Sequence, residues 1–61
     1  MKKVSTAKIV RVLGDADYED VRILEVVENE ENPREMYEFW KDQLEGSLGE
    51  GELVTVETEY L

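Results

Sequence analysis

The sequence predicts a small α+β domain of order β-β-α-β, in which one helix packs on one face of a three-stranded sheet. Three observations lead there. Two β-branched runs flank a turn-rich tetrapeptide, a strongly capped amphipathic segment follows, and the chain closes on an alternating run. All 61 residues belong to one domain, because so short a chain cannot fill two hydrophobic cores.

The first strand is expected at about 4–13, where Val4, Ile9, Val10, Val12 and Leu13 cluster before the turn Gly14-Asp15-Ala16-Asp17. The second is expected at about 18–27, and the short spacing makes a hairpin. Two registers compete. One sets Arg11 opposite Asp20 and Leu13 opposite Tyr18, pairing charge with charge and apolar with apolar. A slip of one residue instead gathers Ala7, Ile9, Leu13, Val21, Ile23 and Val27 on one face. The residues alone support both.

The helix is expected over 33–45. Asn32 can cap it, Pro33 suits its first position, Glu35 can complete a capping box, and Gly46 can end it. On a helical projection Met36, Tyr37, Phe39, Trp40 and Leu44 share one half, with Trp40 near the middle. Trp40 is therefore expected in the core. Glu35, Glu38, Asp42 and Glu45 share the opposite half, bordered by Arg34 and Lys41. The third strand, about 52–61, alternates Val54, Val56 and Tyr60 with Thr55, Glu57 and Glu59. A sheet order of 2-1-3 accommodates these elements, with the strands that flank the helix parallel to each other.

Composition narrows the function. The chain has neither cysteine nor histidine, which removes disulfides, thiolate or imidazole metal sites, and nucleophilic triads built on them. No glycine-rich loop precedes a helix, so a phosphate cradle is missing, and no cofactor is expected. Asp15, Asp17, Glu19 and Asp20 resemble the start of a calcium loop. The pattern then fails, with Asp20 at the glycine position and Val26 at the position of the closing glutamate. Carboxylates are plentiful, but acid–base catalysis needs a sheltered cleft that so small a chain has little volume to form. The expectation is a non-enzymatic protein without a bound metal.

Sixteen acidic residues against seven basic ones give a net charge of −9. Such a field repels nucleic acid and anionic membranes and attracts basic protein surfaces. The run Ala7–Leu13 is too short and too charged for a signal or membrane segment, so the cell interior is the expected location. The acidic face Glu35, Glu38, Asp42 and Glu45 is the candidate partner-binding surface, able to imitate a row of phosphates before a basic groove. A second candidate is apolar. One helix covers only one sheet face, leaving Val10, Val12, Leu24, Val26 and Leu53 as a possible oligomer face. Two functions follow: a regulator or inhibitor that binds a basic protein surface, or an accessory subunit that forms a homodimer through its open sheet.

The opening Met1-Lys2-Lys3-Val4, the turn Tyr18-Glu19-Asp20, Val26-Val27 and the tail Val56-Glu57-Thr58-Glu59-Tyr60-Leu61 carry a resemblance. The layout resembles that of short uncharacterised phage and bacterial ββαβ proteins. Asn32-Pro33-Arg34-Glu35 departs from the helix start such proteins often have. The resemblance implies a mobile-element setting, in which short acidic proteins often inhibit host factors.

Overall fold

A computed structural model describes residues 2–61. The elements follow the expected order: β1 Lys3–Val12, β2 Tyr18–Glu28, α1 Pro33–Gln43 and β3 Glu52–Tyr60. The sheet runs β2-β1-β3, and β1 is antiparallel to both neighbours. The outer strands are therefore parallel to each other, joined by the helical crossover. The backbone pairing continues beyond the strands, since Lys2 N–H donates to Leu61 O at 2.9 Å and Leu61 N–H donates to Lys2 O at 2.7 Å.

The hairpin register is the chief departure from a simple reading. Near the turn, Val12 faces Tyr18, Arg11 faces Glu19 and Val10 faces Asp20. The register shifts between Ile9 and Val10 and again between Ala7 and Lys8. Between the shifts, Ile9 faces Arg22 and Lys8 faces Ile23; beyond them, Ala7 faces Glu25 and Ser5 faces Val27. The hairpin thus passes through three offsets: the one that would pair Arg11 with Asp20 holds only between the shifts, a slip of one residue to either side of it holds at the two ends, and the single face of Ala7, Ile9, Leu13, Val21, Ile23 and Val27 is not assembled. The pairs Arg11–Asp20 and Leu13–Tyr18 do not form. Each bulge adds one residue to β2 and reverses which of its residues share a face with β1. Ile23 consequently lies on the face opposite Ala7 and Ile9.

The helix starts as its capping residues direct, with Asn32 Oδ1 accepting the Glu35 N–H at 3.3 Å and Pro33 in the first turn. The reciprocal half of the box comes from another residue. Glu30 Oε1, not Glu35, accepts the Asn32 N–H at 2.9 Å. Asn29 just before it turns the chain at φ 57°, a conformation asparagine tolerates better than most residues. The helix ends at Gln43 with Leu44 as cap, so Glu45 lies in the following turn, and Gly46 takes the left-handed φ of 81° beyond the cap.

The helix lies chiefly over β3, less over β1. The core under it is Ala7, Ile9, Met36 and Val54, with Ser5 Oγ and Thr58 Oγ1 hydrogen-bonded at 3.2 Å beside them. Met36, not Trp40, is the buried centre of the helix. Trp40 sits one turn further on and is only half-buried, because its indole reaches out to Glu25 of β2, donating Nε1–H to Oε1 at 2.9 Å. Phe39 packs edge-on against it, with centroids 5.3 Å apart, and remains 53% exposed. The apolar half of the helix was legible, but its centre is displaced by the off-centre docking.

Candidate functional site

The open face of the sheet is built by the even residues of β1 and their partners. Val4, Thr6, Lys8, Val10 and Val12 alternate along β1, and residues directly opposite share their face. From β2 this brings Tyr18, Asp20, Ile23 and Val26; from β3 it brings Leu53, Thr55, Glu57 and Glu59. Tyr18, Ile23 and Val26 are each more than half exposed, and Val12 and Leu53 are partly so. Large apolar groups left in water on one contiguous sheet face are the type of surface a partner covers.

Four of the five residues expected on the apolar face, Val10, Val12, Val26 and Leu53, stand there together. Val10 is buried among its neighbours. Leu24 has no cross-strand partner, because it is the extra residue of the bulge between Ala7 and Lys8, and it is half-buried. Sequence reasoning missed Ile23 and Tyr18. No hydropathy pattern reveals them, since the parity that brings Ile23 to this face depends on a bulge.

A shallow concavity of about 280 Å³ opens at the turn end of this face, lined by Val10, Tyr18, Asp20, Leu53, Thr55 and Glu57. Beside it lies Lys8, largely buried, whose Nζ sits 3.1 Å from Asp20 Oδ1 and 3.0 Å from Glu57 Oε2. Both carboxylates are diagonal neighbours of Lys8 across the sheet, a spacing that a long side chain spans. The bond to Glu57, then that to Asp20, raises the Lys8 pKa above its usual 10.5, against the lowering effect of desolvation. The ion pairs therefore stabilise the fold fully below pH 10.5 and lose that contribution as pH rises through the elevated value. Urea midpoints measured from neutral to strongly alkaline pH are expected to fall more for the native chain than for Lys8→Met. Equal slopes would show that Lys8 contributes nothing to the alkaline loss.

The helical acids form a different surface. Glu35, Glu38 and Asp42 are exposed along α1, and Glu45 is exposed in the turn beyond it. Arg34 Nε lies 3.4 Å from Glu38 Oε1, an i,i+4 pair that partly offsets the row. This strip offers charge, and none of its residues lines the concavity. Arg11, on the sheet face opposite Lys8, is held by Glu19 at 3.3 Å and Glu52 at 3.2 Å. Glu52 also accepts the Gly49 N–H at 2.6 Å through its other oxygen, so it fixes the loop before β3.

Among the described residues no group of three or more acidic side chains is gathered as a metal site, and Asp15, Asp17, Glu19 and Asp20 do not converge into one. Among those residues, too, no helix is long and apolar enough to cross a membrane. Comparison with protein-family models, curated proteins and solved structures finds no match.

Proposed function

We propose that this protein is a non-catalytic interaction module that binds a basic, amphipathic protein surface through its open sheet face. The observation that carries the reading is the composition of that face. Tyr18, Ile23, Val26, Val12 and Leu53 offer apolar area, Asp20, Glu57 and Glu59 frame it with negative charge, and its cation Lys8 is already held by two acids.

Charge selects the occupant. A second copy would bring another −9 to the contact and set acidic rims against each other. A basic partner gains where a copy loses. The acidic helix strip then acts at a distance, speeding the encounter, while the sheet face supplies the affinity. Blocking a basic surface on a host factor, as an inhibitor or regulator would, is the corresponding biological role; occupying a phosphate-binding groove is one form of it.

Affinity capture on the immobilised protein at low and high salt tests the reading. Wild type is expected to retain a basic protein at low salt, and the pair Ile23→Asp/Val26→Asp to lose most of that retention while staying folded. Reversal of Glu38, Asp42 and Glu45 to Lys is expected to slow association while the apolar contact persists. Retention untouched by the sheet pair would refute the proposed face. A dimer seen by sedimentation, salt-resistant and abolished by that pair, would establish the accessory-subunit alternative instead.

A further inference from the structure

The charge count around Lys8 specifies what the partner must bring, given the sheet-face reading above. One ammonium is shared by two carboxylates, so Lys8, Asp20 and Glu57 together carry a net charge of −1. Each carboxylate has a second oxygen that Lys8 does not use. Both acids also line the concavity, whose remaining walls are mostly apolar or aromatic: Val10, Leu53 and the exposed ring of Tyr18, with Thr55 the one other polar side chain among them. A ligand that fits has an apolar stem and a single positive charge able to donate in two directions.

We infer that the concavity receives one arginine side chain of the partner. Its methylenes lie over Leu53, and its guanidinium rests by Tyr18 and donates to the free oxygens of Asp20 and Glu57. The planar fork matches two carboxylates and stacks on an aromatic face, which a lysine ammonium does less well. Size supports a side chain over a free metabolite. At about 280 Å³ the recess is at the small end of the ~300–1,000 Å³ range typical of small-molecule sites, and it is partly open to solvent, which suits the tip of a side chain anchored by its own chain. The corresponding cluster on the other face is not equivalent, because the Gly49 N–H already occupies the spare oxygen of Glu52.

The probe is an acetylated, amidated peptide of valine and threonine with one central arginine, titrated into the ¹⁵N-labelled protein. Shifts are expected to centre on Val10, Tyr18, Leu53 and Thr55. Replacing the arginine by neutral, isosteric citrulline should weaken binding about tenfold or more, the scale of a charge-assisted hydrogen bond. Asp20→Asn/Glu57→Gln should do the same; Glu57→Gln alone, which leaves Lys8 one partner, guards against loss of the fold. Glu19→Gln should leave the affinity unchanged. Equal binding of the citrulline peptide, shifts confined to the helix, or no saturable binding at all would overturn the arginine site. Equal citrulline binding on the sheet face would leave the broader reading intact, whereas insensitivity of protein capture to Ile23→Asp/Val26→Asp would remove it.

Discussion

Met36→Ala is expected to remove a large share of the stability that keeps this chain folded. Truncating a buried methionine costs about 2–5 kcal/mol, through lost transfer energy and the cavity left behind. At roughly 0.05–0.15 kcal/mol per residue, a chain of 61 residues has only about 3–9 kcal/mol in reserve. Met36 is the buried residue through which α1 holds the sheet, so no neighbour can substitute for it. Trp40→Ala removes more atoms but is expected to cost less, since the indole is half-buried and its N–H reaches a carboxylate at the surface. Urea denaturation followed by circular dichroism ranks the two. A larger loss for Trp40→Ala would contradict the docking of the helix over β3.

Lys8→Glu is the second severe substitution. It places a third carboxylate between Asp20 and Glu57, at a position only 9% exposed. An uncompensated buried charge costs about 3–5 kcal/mol, and the lower end applies because both neighbouring acids reach solvent. At about 3 kcal/mol that is a third or more of the reserve of about 3–9 kcal/mol, so the variant should have a clearly lower urea midpoint than the native chain at neutral pH and should regain part of the difference in acid. Lys8→Met, which matches the stem and removes the charge, should remain folded. The swap Lys8→Glu/Asp20→Lys should recover part of the loss at neutral pH. A Lys8→Glu protein as stable as the native chain would show that the position is far wetter than its packing indicates.

The parts of this molecule legible in its sequence are those coded by local chemistry. Asn32 and Pro33 declare the helix start, Gly14 to Asp17 declare the hairpin turn, and β-branched runs declare the strands. The order 2-1-3 follows because it accommodates one crossover helix. What escaped depends on contacts between distant segments. The run Val21 to Val27 is apolar at 21, 23, 24, 26 and 27, a pattern that fits either face. Two bulges resolve it, and nothing in the residues of β2 marks where they fall. The same holds for the helix, whose projection identifies the apolar half but not which part of that half meets the sheet. The capping box shows a milder version: an acid was expected, and Glu30 from the preceding loop supplies it in place of Glu35.

The candidate site was legible only in its parts. Net charge and an uncovered face could be read directly. The concavity could not, because it needs Asp20 and Glu57 brought to opposite sides of Lys8 by strands that are far apart in the chain. Glu38 and Asp42 form an acidic row along α1 that Glu45 continues beyond it, yet none of the three lines the concavity. The sheet acids are scattered in sequence and gathered in space.

The mutual backbone bonds of Lys2 and Leu61 have a practical corollary for handling the molecule. Lys2 and Leu61 meet at one short side of the sheet, while Val10 and Leu53 stand toward the other. Eight residues of extended strand separate Lys2 from Val10, which is roughly 25 Å at about 3.3 Å per residue. A fluorophore, a surface tether or a fused carrier attached beside Lys2 or Leu61 would therefore emerge well away from the recess. The same adjacency would let a short peptide link Leu61 to Lys2, with the chain reopened at the exposed Gly14–Asp17 turn, without removing any pairing of β1 with β2 or β3.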